Sequence, residues 1–125
     1  MPSPAELKSL VAHYADTVNS REPDAIAALF AEYAVQADPA SQPARHGRSA
    51  IATFFVDGVF ASDDWEFTAT DVHSCGHQVA FHFAITIQMP GSAMTINGIE
   101  VMSVDDNGLI ASAHAYWDDE DVSFG

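Results

Sequence analysis

Eleven residues from Val79 to Met89 alternate without a break. Val79, Phe81, Phe83, Ile85, Ile87 and Met89 are apolar, and Ala80, His82, Ala84, Thr86 and Gln88 stand between them. A period of two over that length specifies a strand with one face in a core. The same period starts at Trp65, Phe67 and Ala69, resumes over 93–104 and returns from Leu109 to Trp117. Turns are expected at His73–His77, at Pro90-Gly91-Ser92 and from Asp105 to Gly108, each of which contains a glycine. Residues 72–99 hold no Asp, Glu, Lys or Arg, but three histidines, Gln88, Pro90, Gly91 and Asn97 interrupt them. They are therefore not the unbroken apolar run that a membrane span needs.

The first half of the chain has helical spacing instead. Ser3, Pro4 and Glu6 form the start signal of a helix, with a serine cap, a proline in the first turn and an acid that can reach back. Leu7, Leu10, Val11, Tyr14, Ala15 and Val18 then recur on one face, and Asn19-Ser20 ends the run. A second helix is expected from Pro23-Asp24, burying Ile26, Leu29, Phe30 and Tyr33, followed by a short strand from Ala34 to Asp38 and a loop from Pro39 to Gly47. A third helix, capped by Ser49, would present Ile51, Phe54, Phe55 and Val59. Helices first and strands joined by short turns afterwards predict an α+β fold with a mainly antiparallel sheet. Helices covering one face of a curved sheet leave a concave pocket. With 125 residues the chain is expected to be a single domain, residues 1–125, with an acidic, mobile tail at 118–125.

Acids outnumber bases 18 to 4, for a formal charge of −14. So few cations exclude nucleic acid as a partner and disfavour an anionic membrane surface. A carboxylate placed among apolar residues must then be protonated or hydrogen-bonded, because few cations are available to pair with it. Cys75 is the single cysteine, so there is no internal disulfide. That, with no signal-peptide pattern at the start, makes a cytoplasmic location the expectation. His73, Cys75 and His77 are the one cluster of candidate metal ligands, on an expected hairpin tip; no metal and no cofactor is expected. No Gly-x-Ser-x-Gly elbow, phosphate-binding loop or dinucleotide fingerprint is present.

Three polar residues are out of keeping with their surroundings. Glu100 is in phase with Met94, Ile96, Gly98, Met102 and Val104. Either that face is the buried one, and desolvation keeps the carboxyl neutral as a hydrogen-bond donor, or Ile99 and Val101 face the core and Glu100 is solvated. Tyr14 lies on the apolar stripe of the first helix, as a core tyrosine or a site residue. Asp38 ends a strand before a proline, as a turn residue or a base.

Together these three residues resemble the bacterial ketosteroid isomerases of the nuclear-transport-factor-2-like (SnoaL-like) superfamily of cone-shaped folds. The resemblance runs through Leu10-Val11-Ala12-His13-Tyr14, the stretch 26–31, Ala37-Asp38-Pro39, Arg45-His46-Gly47, residues 79–83, Ile99-Glu100 and Ala113-His114-Ala115-Tyr116-Trp117. It covers nearly the whole chain. It implies three helices packed on a strongly curved sheet around an apolar pocket, and isomerisation of a 3-oxo-delta-5-steroid to its conjugated delta-4 isomer. Asp38 would be the base that moves a proton from C4 to C6. Tyr14 and a neutral Glu100, where the family usually has Asp, would be the donors to the enolate oxygen. Phe55, Phe81, Phe83 and Met102 would line the pocket, with Ala115 and Trp117 as its floor. Phe30 and Phe55 stand where some relatives have tyrosines bonded to the first, so Tyr14 is expected to lack that network. A homodimer is implied, through the face bearing Ala80, His82, Ala84 and Thr86.

Two other readings use the same pocket: a non-catalytic carrier of steroids or similar hydrophobic ligands, and another SnoaL-like enzyme such as a polyketide cyclase or epoxide hydrolase. The last would need an Asp-Arg-Asp set, and none of Arg21, Arg45 and Arg48 is on an expected pocket-facing strand.

Overall fold

The computed structural model describes residues 2–58 and 64–125; Val59, assigned above to a helix face, lies outside them. Helix α1 is Pro4–Ser20. Its start is the expected capping box, with the Glu6 amide donating to Ser3 Oγ at 3.1 Å and the Ser3 amide donating to Glu6 Oε1 at 3.0 Å. Leu7, Val11, Tyr14 and Val18 are its buried stripe.

Helix α2 is shorter than expected. It spans Pro23–Ala27, and strand β1 already begins at Phe30 and runs to Ala37. Ile26 and Phe30 are buried as foreseen, but Tyr33 is 84% exposed. The cause is a distant strand. β1 pairs in parallel with β6, Ile110–Tyr116, which holds Phe30 beside Ile110 and Ala37 beside His114. Pairing at Phe30 and again over Val35–Ala37 takes these residues into the sheet and overrides the local helical spacing.

A two-residue strand, β2, Arg45–His46, lies antiparallel to β1. Helix α3, Arg48–Asp57, follows with Gly47 at its cap position rather than Ser49. Gly47 has φ +94°, which a side chain would make costly, and Arg48 donates twice to the Phe30 carbonyl, at 2.7 and 3.0 Å. Ile51 and Phe55 face the core.

The remaining strands are β3, Trp65–Cys75, β4, Gln78–Met89, and β5, Ser92–Val104. Residues 73–75, read above as turn, belong to β3, and the reversal is confined to Gly76 and His77. Among the described residues the sheet order is β2-β1-β6-β5-β4-β3, antiparallel except for β1 and β6. Pairing shifts between Thr70 and His73, where Asp71 takes φ +53°, and again between Ser103 and Val104; such bulges bend a sheet. The result is a curled, open sheet with the helices against its concave face.

The tail is not loose in this structure. After β6 the chain leaves the edge of β5 for one turn of 3-10 helix, Asp119–Asp121, and rejoins it as β7, Val122–Phe124, beside Met94–Ile96. β6 covers only Ile99–Val104 of β5, so β7 takes up backbone groups that would otherwise be an open edge.

Candidate active site

The period-two argument for Glu100 is decided by the pairing. Glu100 stands between Phe81 of β4 and Ala115 of β6, and it is 5% exposed, while its neighbour Ile99 is 45% exposed. The carboxyl is therefore on the concave face. Tyr14 reaches it from α1 with its ring held edge-on by Phe30 and Phe67, at centroid distances of 6.5 and 5.8 Å, and by Phe81 at 6.4 Å. Among the described residues neither the Tyr14 hydroxyl nor the Glu100 carboxyl has a hydrogen-bond partner.

Asp38 is one step beyond β1, before a cis Pro39. The backbone after it is tied to β6 by a 2.6 Å hydrogen bond from the Ala40 amide to the Ala115 carbonyl. Trp117, in the stretch where the chain departs from β5, donates its indole Nε1–H to Asp38 Oδ1 at 2.7 Å. The resemblance implied Trp117 only as pocket floor. Its role as a partner of Asp38 depends on two strands separated by most of the chain.

Tyr14, Asp38 and Glu100 thus line one cavity of about 240 Å³, open at its mouth. Phe55, Phe83 and Trp117 line it as expected. Phe81, Met102 and Ala115 do not; they are buried in the core beneath it. The apolar rows explain the difference. Along β4, Ile87, Ile85 and Phe83 face the cavity while Phe81 and Val79 continue into packed core; along β5, Ile96 and Glu100 face it and Met102 lies deeper. The cavity ends at the level of Glu100. Val18, Phe54 and Phe67 also line it. Each was legible by phase, Val18 one turn after Tyr14 and Phe67 between Trp65 and Ala69.

The wall geometry depends on Gly98. It pairs with Phe83, whose ring stacks on Phe67 at 5.9 Å and 12°. A Cβ at Gly98 would lie 2.7 Å from both Phe83 Cε1 and the Tyr116 carbonyl oxygen, so only glycine lets the Phe83 ring pass over β5.

The site is apolar with three acids in it, and this sets their protonation. Burial, then the nearby Glu100 and Asp38, push the Tyr14 phenol well above its usual range. Burial, reinforced by Asp38, raises the Glu100 carboxyl to about 8. Burial also raises Asp38, but the Trp117 hydrogen bond and the Arg45 charge oppose that rise. At neutral pH the pocket therefore holds two neutral donors, Tyr14 and Glu100, facing a carboxyl that retains support for its negative charge. Such a set can take a proton from carbon while stabilising an oxyanion.

His73, Cys75 and His77 are not brought together into a metal-binding group: Cys75 is exposed, and His77 Nε2 is 2.8 Å from Asp106 Oδ1. Among the described residues no helix is long and apolar enough to cross a membrane.

The SnoaL-like domain family matches residues 11–113, a span that carries Tyr14, Asp38 and Glu100. The chain belongs to the SnoaL-like family. A steroid delta-isomerase of Nocardioides simplex is 34% identical over 113 residues, covering 90% of both chains. Among solved structures, SalBIII, an epoxide hydrolase/cyclase-like enzyme with a role in pyran-ring formation in the polyether salinomycin, superposes with a TM-score of 0.84. That pair is 25% identical and covers 93% of each chain. Both relatives are enzymes, which supports an enzymatic SnoaL-like domain with a small-molecule pocket.

Proposed function

We propose that the protein is a steroid delta-isomerase that converts 3-oxo-delta-5-steroids to 3-oxo-delta-4-steroids. The observation that carries the reading is the pairing of one supported carboxylate with two neutral donors in a single apolar cavity. The 34% identity to a steroid delta-isomerase supports the substrate class.

In this mechanism Asp38 takes the C4 proton, which is only weakly acidic, and returns it to C6. Negative charge grows on the 3-oxygen as the proton leaves. Tyr14 and neutral Glu100 donate to that oxygen, and one such donor is typically worth about 10²–10³ in rate. Burial makes Asp38 a stronger base than a solvated aspartate, and the Trp117 indole holds the carboxylate in place. Phe83, Ile85 and Phe67 supply flat apolar walls for a neutral ring system. No step calls for a metal or redox cofactor.

The active form in this proposal is a homodimer built on the convex sheet face. Ala80, His82, Ala84 and Thr86 of β4, Ile99 and Val101 of β5, and Ser112, His114 and Tyr116 of β6 include no carboxylate, lysine or arginine. Ile99 and Tyr116 are 45% and 55% exposed there. In a chain of charge −14, this is the surface on which two copies approach with least repulsion. Sedimentation at micromolar concentration distinguishes the dimer from a single chain.

The direct test is to add the protein to a 3-oxo-delta-5-steroid and follow the ultraviolet absorbance of the conjugated enone. A protein-dependent rise supports the isomerase. Tight binding without that rise identifies a carrier, and turnover of an epoxide or polyether precursor instead identifies a cyclase or hydrolase.

A further inference from the structure

The four basic residues are not equivalent. Lys8 is exposed on α1. Arg21 stacks on the Trp65 ring at 4.4 Å and donates to the Trp65 carbonyl at 3.0 Å. Arg48 is committed to the Phe30 carbonyl. Arg45 alone is beside the cavity. It is opposite Gln36 in the β1–β2 ladder, donates to Gln36 Oε1 at 3.3 Å, and sits 3.9 Å over the ring of Phe54, a residue of the cavity wall. None of the arginines lines the cavity itself, but Arg45 stands directly behind its Phe54 wall.

Gln36 is 2% exposed and two residues before Asp38, so along an extended chain the two side chains leave on the same side. A cation anchored on Gln36 is therefore directed along β1 toward Asp38. No direct ion pair forms between them among the described residues. A close pair would weaken the carboxylate as a base, whereas a cation one step back favours its charge and leaves its oxygens free.

We propose that Arg45 is a positioning residue for the base: braced by the Gln36 amide and the Phe54 ring, its guanidinium fixes the pocket's negative charge on Asp38 rather than on Glu100. The groups facing Asp38 are Tyr14 of α1, Glu100 of β5, Arg45 of β2 and the Trp117 indole after β6. His46 and His114 adjoin the strand on its other face, and Asp118 to Asp121 lie outside Trp117 and bond to one another. Among all of these, Arg45 is the one fixed positive charge on the cavity side. Both other acids there, Tyr14 and Glu100, would oppose ionisation of Asp38 if they ionised themselves. The asymmetry between two carboxyls in one cavity thus has a specific source, a cation placed next to one and remote from the other.

The inference rests on Asp38 being the base of the proposed isomerase, so its test has one readout that needs no turnover. In ligand-free protein, infrared or carbon-13 NMR titration of the Asp38 carboxyl is compared in wild type, Arg45→Met, Arg45→Lys and Gln36→Met. The Asp38 transition is expected to move to higher pH in Arg45→Met, to move partway in Gln36→Met, and to stay near wild type in Arg45→Lys. The acid side of the kcat/KM profile follows: Arg45→Met loses roughly fivefold to tenfold there and stays within about twofold of wild type on the plateau. An Asp38 transition unmoved in folded Arg45→Met overturns the proposal, and so does an equal effect of Arg45→Lys. If Arg45→Met does not fold, an unmoved transition in Gln36→Met overturns it instead. A protein inactive on every 3-oxo-steroid would refute the isomerase while the carboxyl titration still decides Arg45.

Discussion

Asp38 and Glu100 face the same cavity, but the two ends of that cavity treat a carboxyl in opposite ways. Asp38 is at a strand end near the mouth, with an indole N–H on one oxygen and a guanidinium behind it. Glu100 is mid-strand at the closed end, between Phe81 and Ala115, with no hydrogen-bond partner among the described residues. Both are raised by burial, yet only Asp38 has groups that favour its charge. The difference teaches that a base and an acid can be made from the same functional group by position alone.

The largest break in this comparison is at the charged end. Asp38→Asn should lower kcat by about 10²–10⁴ while ligand affinity is kept or improved, since a buried charge is lost. Single-turnover kinetics with binding measured separately would show it. At the closed end the size of the loss depends on what replaces the donor. Glu100→Leu should cost about 10²–10³ in kcat, whereas Glu100→Gln, which can still donate, should keep much of the activity. Equal losses in the two variants would remove Glu100 from the oxyanion site.

The closed end also sets a stability expectation. A carboxyl raised in the folded state to about 8 from an ordinary 4.5 binds a proton that the unfolded chain has already released. Its contribution is fully present below pH 4.5 and is lost as pH rises to about 8. Glu100→Gln removes that dependence, so it should be more stable than wild type at pH 8–9, by on the order of a few kcal/mol, with little difference near pH 4.5. Urea melts at the two pH values would test the sign. The smallest effect is expected at Trp117→Phe. It removes one hydrogen bond from a carboxylate that Arg45 still supports, for a few-fold loss in kcat and a shift of the acid limb to higher pH.

What the sequence revealed depended on how local each signal was. The α1 capping box spans four residues, and the β4 alternation needs no partner to be seen. The phase of Glu100 was legible too, but which face was buried was not, because Ile99 and Val101 made the opposite face equally apolar. The first half of β1, Phe30 to Tyr33, was hidden because residues 26–33 suit a helix locally, and the pairing with β6 starts the strand at Phe30. The end of the cavity at Glu100 was invisible for a related reason. Phe83 and Phe81 share one row, and only the packing of α1 across the sheet makes one a wall and the other core. Asp38–Trp117 and Arg45–Gln36 are contacts between side chains whose strands meet only in the folded sheet.

The parallel pairing of β1 with β6 also governs when the site can exist. Phe30 and Ile110 are neighbours in space but are brought together by closing most of the chain into a loop, the slowest kind of contact to form. As the polypeptide emerges from a ribosome, Tyr14 and Asp38 are made early, and Glu100 of β5 can already be seated beside Phe81 of β4. Until β6 and Trp117 follow, however, β1 has no partner on that side and Asp38 has no indole. In the proposed mechanism, proton transfer therefore becomes possible only once β6 and Trp117 are in place, and a chain truncated after β5 would hold the two proposed donors without a placed base.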